Sequence, residues 1–213
     1  MDTAARWDPT ALRLIAITDS LRDGVQGLAA RAQLAAMGGV TMIQLRLREE
    51  SPRTLVEVAR ALMAAVPAIP LIVSSRADVA MAAGAQGVHL GSDDVAPEML
   101  RRIVPPDFVI GASVGDVAEV PRARGADYVA IGPVLGVGGA GTGGTAMGIP
   151  RFAELVRQCG LPAVAVGGVS AENAAAIMRS GASGLVVISA LFAARDPTQA
   201  SRALRDAQGA IES

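Results

Sequence analysis

The sequence predicts an α/β fold, a single-domain (β/α)8 TIM barrel, and three observations lead to this class. The length of 213 residues suits one domain of this kind. Short apolar runs alternate with alanine-rich segments of helical period, which is the pattern of parallel strands covered by helices. A weak repeat supports it, because the segments 84–91, 125–132 and 181–189 each begin Gly-Ala and pass directly into an apolar strand.

Eight apolar runs are the predicted strands, and they cover 12–18, 40–46, 69–74, 86–90, 108–113, 126–132, 162–167 and 184–189. Helical segments are predicted at 24–37, 53–65, 97–104, 150–159, 171–180 and 197–209. A flavodoxin-like or Rossmann open sheet is the competing fold, but it usually has five or six strands, and its dinucleotide-binding members carry G-x-G-x-x-G after the first strand. This chain reads ITDSLRDG there. The barrel is therefore expected to span 12–213, with 1–11 as an N-terminal extension.

The composition excludes several classes of function. The formal net charge is −1, all 19 basic residues are arginine, and 3 Phe, 1 Tyr and 1 Trp leave little for stacking on bases, so we expect no nucleic-acid partner. The single Cys159 allows no intramolecular disulfide. No signal peptide or membrane span is evident, which predicts a cytoplasmic protein without a membrane partner. A homo-oligomer stays open.

Three polar residues in and just after the second predicted strand give the sharpest signal for a site. Gln44, Arg46 and Arg48 are spaced by two, which points their side chains to the same side of a strand. We expect all three to face the barrel mouth, with Arg46 the most buried. An arginine there needs an anionic partner. The partner is either a substrate phosphate gripped by the guanidinium or a carboxylate such as Asp19 in a buried ion pair.

A second signal is the pair Gly167-Gly168 after the seventh strand. In many barrels the loops after strands seven and eight bind a phosphate through main-chain N–H groups and a helix N-terminus. Ser170 is a suitable N-cap for the following helix. The alternative is that the two glycines only form a tight turn.

Three further features have two readings each. Asp93-Asp94 after the fourth strand suits a Mg²⁺ ligand beside phosphates, or the cap of a helix starting near Ala96. His89, the only histidine, is a hydrogen-bonded structural residue or a general base. The glycine-rich stretch 136–148 is a lid over the site or an insertion without regular structure.

Motifs in series resemble the thiamine phosphate synthase family, which also contains the thiazole tautomerases. They are T-D after strand one, Q-L-R at strand two, G-V-H-L-G-x-x-D at strand four, G-A-D-Y-V-x-I-G-P-V at strand six, G-G-V-S-x-E-N-A after strand seven and G-x-x-V-I-S-A at strand eight. The likeness runs from about residue 14 to 197. It implies a barrel that joins hydroxymethylpyrimidine diphosphate to a thiazole phosphate and releases pyrophosphate with Mg²⁺.

The resemblance also implies residue roles. Gln44 and Arg46 would hold the pyrimidine diphosphate, Arg48 stands where the family usually has lysine, and Ser113 falls on a residue that contacts the pyrimidine. Asp94 falls on a Mg²⁺ ligand. The thiazole-phosphate site would include Gly168, Ile188 and Ser189, in agreement with the loops after strands seven and eight.

The chain is a divergent member at two places. Ser74 and Ser75 stand where the family usually has Asn-Asp, so they are substrate-binding candidates that lack one Mg²⁺ carboxylate. The segment 137–140 (VGGA) replaces Thr-x-Thr-Lys and removes a lysine. We therefore expect Mg²⁺ binding that is weak or dependent on the substrate. A tautomerase would need no diphosphate site, yet Pro133 stands where some tautomerases have a catalytic histidine. A non-catalytic phosphate-binding barrel is the third reading.

Overall fold

The computed structural model describes residues 7–136 and 145–209, and at 189 and 190 only the backbone. Eight parallel strands form a closed barrel in the order β1 to β8, with β8 paired to β1. The strands are β1 Leu14–Ile17, β2 Met42–Leu45, β3 Leu71–Ser74, β4 Gly87–Leu90, β5 Val109–Val114, β6 Tyr128–Ile131, β7 Ala163–Val166 and β8 Gly184–Val187. The predicted (β/α)8 barrel is confirmed, and all eight strands lie within or one residue beyond the predicted runs.

Eight α-helices of the described chain lie between and after the strands. They are α1 Gly24–Met37, α2 Pro52–Ala65, α3 Ala77–Ala83, α4 Pro97–Leu100, α5 Gly148–Cys159, α6 Ala171–Arg179, α7 Ser189–Phe192 and α8 Pro197–Gly209. The predicted helix 97–104 is shorter than expected, since α4 ends at Leu100. Between β5 and β6 the connection is a 3-10 helix, Val117–Ala123, which contains Pro121. Another 3-10 helix, Pro9–Leu12, precedes β1.

The Gly-Ala repeat has a structural basis in backbone geometry. Gly84, Gly125 and Gly181 adopt φ values of 80°, 89° and 100°, in the left-handed region that favours glycine. Each of them ends the preceding helical segment and turns the chain into the next strand. The repeat therefore marks three equivalent entries into the barrel.

Alternation along the strands divides the apolar core into two parts. One set of side chains, for example Leu14, Ile43 and Val129, packs between the sheet and the helices. The other set, for example Ile15, Met42 and Val186, fills the interior of the barrel. Because successive strand residues point to opposite faces, the inner set also carries the polar side chains that reach the mouth.

The end of the barrel at which the strands begin carries a cavity of about 860 Å³ that is lined mainly by apolar residues. Trp7, Ile72, Val109 and Phe108 are among its lining residues. The Trp7 ring lies against the Tyr128 ring inside the barrel, with centroids 6.0 Å apart. The predicted site residues lie at the opposite end, where the strands finish.

Candidate functional site

Gln44 and Ser74 are joined inside the barrel mouth. Gln44 lies on β2 and is 5% exposed, and its Nε2 donates to Ser74 Oγ at 2.8 Å at the end of β3. Gln44 is thus the most buried of the three residues spaced by two, and the expectation that Arg46 would be most buried is wrong. The reason is that β2 ends at Leu45, so Arg46 lies beyond the last strand residue.

Arg46 brings a positive charge without a described counter-ion to the mouth. Its backbone is fixed, because its N–H donates to Thr18 Oγ1 at 2.9 Å while the Thr18 hydroxyl donates to its carbonyl at 3.3 Å. Its guanidinium is half-buried and forms no ion pair with a residue in 7–136 or 145–209. Burial lowers the pKa of Arg46, and the neighbouring charge of the exposed Arg48 lowers it further. An anion bound here would relieve both effects.

The proposed ion pair of Arg46 with Asp19 is not formed. Asp19 accepts instead from Arg22 Nη1 at 2.9 Å and from Arg31 Nη2 at 3.2 Å. Arg22 also donates from Nη2 to the carbonyl oxygen of Phe192 at 2.7 Å, which ties the connection after β1 to the end of α7. The Asp19 carboxylate therefore stabilises the region in which the barrel closes between β1 and β8.

A hydrogen-bonded chain crosses the barrel interior from β5 through β4 to β6. His89 Nε2 lies 3.0 Å from Ser113 Oγ, and His89 Nδ1 lies 3.0 Å from the Tyr128 hydroxyl. Burial lowers the pKa of His89 from 6.5 to about 4, the charge of Asp94 opposes this, and the charge of Arg46 adds to it. His89 is therefore neutral near pH 7 with both ring nitrogens engaged, which favours the structural reading over a general base.

Asp94 lies at the rim after β4 and is half-buried, while Asp93 is exposed. The Asp94 Oδ2 accepts from the N–H of Gly91 at 2.6 Å. The alternative role as helix cap is not observed, because α4 has Ala96 as its N-cap and no side-chain cap. One oxygen of Asp94 holds the turn, and the other carries no hydrogen bond to the described chain.

The fit of this site to Mg²⁺ is limited to one carboxylate. Within the described residues no group of three or more His, Cys, Asp or Glu side chains is placed to hold a metal. Ser75 is exposed and adopts φ 61°, a left-handed value that Asn and Asp accept better than most residues. Mg²⁺ is commonly held by one or two carboxylates together with substrate phosphates, so Asp94 fits a substrate-dependent ion.

The turn after β7 needs both of its glycines. Gly167 and Gly168 have φ values of 94° and 67°, and a Cβ at either position would lie 2.7 Å from Pro133 or Leu135. The tight-turn reading therefore holds, and it leaves the N–H groups of Gly168 and Val169 without a hydrogen bond inside the described chain. Ser170 is the N-cap of α6, as expected, and its N–H donates to Asn173 Oδ1 at 3.0 Å.

The connection after β8 places the remaining candidates. Ile188 is half-buried against the inner core, and Ser189 is the first residue of α7. Neither Gly168 nor Ile188 forms a hydrogen bond with Gln44, Arg46 or Ser113 among the described residues. The lid hypothesis for 136–148 falls largely on 137–144, which lie outside the described residues.

Two contributors were missed by the sequence reasoning. Thr18 stands out in the sequence only as the first residue of the T-D motif after strand one, yet its hydroxyl fixes the backbone of Arg46. Tyr128, the only tyrosine, lies in a run that the sequence predicts as an apolar strand, and its hydroxyl contacts His89. The usable signal was its inward register on β6, because Tyr128 pairs with Gly111, two residues before Ser113.

Fold and mouth together define the class: a (β/α)8 barrel whose polar and cationic side chains gather where its strands end. The model of the family described as "thiamine monophosphate synthase" matches residues 14–191. The chain therefore belongs to the thiamine monophosphate synthase family.

Individual relatives agree with this membership. The thiamine-phosphate synthase of Azorhizobium caulinodans is 45% identical over 201 residues, covering 92% of this chain and 95% of that protein. The thiamine-phosphate synthase of Methanoculleus marisnigri is 45% identical over 179 residues, covering 82% and 85%. The solved thiamine phosphate pyrophosphorylase of Pyrococcus furiosus superposes with a TM-score of 0.85 at 31% identity, covering 96% of this chain and 99% of that one.

No helix within 7–136 or 145–209 has both the length and the apolar character needed to cross a membrane.

Proposed function

We propose that this protein is a transferase of the thiamine phosphate synthase type, which joins hydroxymethylpyrimidine diphosphate to thiazole phosphate and releases pyrophosphate. The observation that carries the proposal is Arg46, a half-buried guanidinium without a described counter-ion beside Arg48 at the barrel mouth. The relatives named above supply the activity. The charge pattern fits a strongly anionic substrate group, and a diphosphate is such a group.

In this proposal the pyrimidine diphosphate occupies the side of the mouth formed by β2 to β5. Arg46 and Arg48 bind the diphosphate, and as the bond between the pyrimidine methylene and the diphosphate oxygen breaks they stabilise the departing negative charge. Gln44, held by Ser74, and Ser113, held by His89, orient the pyrimidine ring. Asp94 would be the protein carboxylate that holds Mg²⁺, Ser75 would bind substrate, and the bound ion would neutralise part of the diphosphate charge.

The thiazole phosphate is assigned to the side formed by β7 and β8. The main-chain N–H groups of Gly168 and Val169, which make no hydrogen bond to the residues in 7–136 or 145–209, support this placement together with Ile188 and Ser189. The thiazole nitrogen then attacks the pyrimidine cation left by the diphosphate, and the new carbon–nitrogen bond completes thiamine phosphate. The cytoplasmic location and the absence of nucleic-acid and membrane partners remain predictions from the sequence, and a homo-oligomer stays open.

The test is incubation of the protein with both substrates and Mg²⁺, followed by assay for thiamine phosphate, with Arg46→Ala as the matched loss variant. Formation of thiamine phosphate that Arg46→Ala reduces supports the proposal. Isomerisation of thiazole phosphate alone would replace it with the tautomerase reading. Binding of either phosphate without turnover would replace it with the binder reading. His89 argues against the tautomerase, since it is neutral with both nitrogens bonded and is the only histidine.

A further inference from the structure

The polar chain Ser113–His89–Tyr128 lies in a barrel interior that is otherwise filled mainly by apolar side chains. Tyr128 is fully buried and His89 is 8% exposed, whereas Ser113 is half-buried and stands nearest the mouth. The neighbouring strand leaves room for the phenol, because a Cβ on Gly111 would lie 2.3 Å from the Tyr128 ring and 2.4 Å from its hydroxyl oxygen. The arrangement therefore depends on a glycine at one inward position of β5.

The direction of both hydrogen bonds of His89 follows from the Tyr128 hydroxyl, which is buried and has a single described partner. Among the described residues the Tyr128 hydroxyl contacts only His89 Nδ1. If Nδ1 carried the proton, the tyrosine oxygen would accept it and the tyrosine's own O–H would be left buried without an acceptor. An unsatisfied buried donor is unfavourable, because it gives up its hydrogen bond to water and gains none in the protein. The Tyr128 hydroxyl therefore donates, and Nδ1 accepts.

The position of the proton on His89 determines the hydrogen-bonding role of Ser113. A neutral imidazole has one N–H, so a His89 that accepts at Nδ1 carries its proton on Nε2. Nε2 then donates to Ser113 Oγ across 3.0 Å. The serine oxygen is occupied as an acceptor on this side, and its own proton is left for a group in the mouth.

We propose that Tyr128, acting through His89, is a positioning residue that makes Ser113 a hydrogen-bond donor, so that the site selects a heteroaromatic ring presenting an acceptor, such as an unprotonated ring nitrogen, at Ser113. The identity of that ring as the pyrimidine rests on the proposed function. The polarity of the chain itself does not rest on it, since it follows from burial and from the number of protons.

The tautomer can be measured directly because His89 is the chain's only histidine. Nitrogen-15 NMR of the full-length protein, labelled at histidine, distinguishes a protonated ring nitrogen from an unprotonated one. We expect Nε2–H in the wild type, and the same in Ser113→Ala because Tyr128 still sets the tautomer. Tyr128→Phe should lose the single tautomer. Nδ1–H in the wild type would overturn the proposal irrespective of any activity.

Kinetics test the effect on the substrate. Tyr128→Phe should lower kcat/KM for the pyrimidine diphosphate about tenfold, the equivalent of one hydrogen bond, with KM for thiazole phosphate unchanged. If KM for thiazole phosphate rises by the same factor as kcat/KM for the pyrimidine diphosphate falls, the role of Tyr128 is merely structural and positioning is refuted. If the wild type makes no thiamine phosphate, binding of the pyrimidine diphosphate is measured instead. Equal binding by the wild type and Tyr128→Phe then refutes the selection of an acceptor, even where the tautomer is Nε2–H.

Discussion

Replacement of Arg46 by alanine should separate stability from anion binding. In the free protein the guanidinium is half-buried, its charged form is disfavoured by burial and by Arg48, and no described carboxylate compensates it. Its removal should therefore leave the free energy of unfolding unchanged or raise it slightly. The same removal eliminates a half-buried positive charge of the mouth that has no described counter-ion, so binding of a diphosphate should weaken.

The magnitude follows from the contacts that Arg46 can make. Hydrogen bonds to charged groups contribute roughly 1.5–3 kcal/mol, so the dissociation constant should rise by about 10- to 150-fold. Arg48→Ala should cost less, under about 1 kcal/mol, because Arg48 is exposed and solvent screens its charge. Arg102→Ala removes an exposed arginine that follows α4, away from the mouth, and should have no effect on binding.

The assay is calorimetric titration with inorganic diphosphate and Mg²⁺, paired with urea unfolding of the same variants. Wild-type affinity in Arg46→Ala would refute the placement of the diphosphate. A loss of affinity in Arg102→Ala equal to that in Arg46→Ala would show that net charge, rather than the mouth, determines binding.

Other outcomes follow from single features. The pKa of His89 is about 4 in the folded chain, below its ordinary 6.5, so the unfolded chain binds the proton first and stability should fall as pH drops from about 6.5 to 4. The loss should be about 3 kcal/mol in urea unfolding, and His89→Gln should flatten the pH profile. Gly111→Ala should destabilise by about 1–3 kcal/mol through overpacking, whereas Gly209→Ala, with open space around it, should not; equal melting temperatures would contradict this. Ser75→Asp should raise synthase turnover and lower the Mg²⁺ concentration that half-maximal turnover requires, because it adds a carboxylate. Mg²⁺ titrations with both substrates measure this. Full family-like turnover in the wild type would contradict the reasoning.

The barrel was predictable because each of its strands has a recognisable local sequence pattern. Each strand is a short apolar run, and three of them follow a Gly-Ala pair. The glycine of that pair is visible in the sequence and adopts the left-handed backbone conformation in the structure. The residues at the strand ends were predictable for the same reason, since parallel strands finish at one edge. The depth of Arg46 was not, because it depends on the exact residue at which β2 ends.

The pairing of side chains across the barrel was beyond the sequence. His89 meets partners that are 24 and 39 residues away, and the two contacts together require the inward register of three different strands. Asp19 was a candidate partner for Arg46, but α1 presents Arg31 to it across 12 residues. Asp94 was expected to hold a metal or cap a helix, and a local turn takes one of its oxygens. Which side chains pair is decided by packing between segments that are far apart in the sequence, and no regular spacing of residues records it.

The pairing of β8 with β1 governs how the chain reaches its folded state. Arg22 bonds to the carbonyl of Phe192 across 170 residues, and Gln208 Nε2 donates to the carbonyl of Arg13 across 195 residues at 2.5 Å. Until residues 184–187 have emerged during synthesis, β1 and β7 are both open sheet edges with unpaired backbone groups, which are prone to pairing with other chains. The interval between synthesis of β7 and docking of α8 is therefore when the growing chain most needs protection from aggregation.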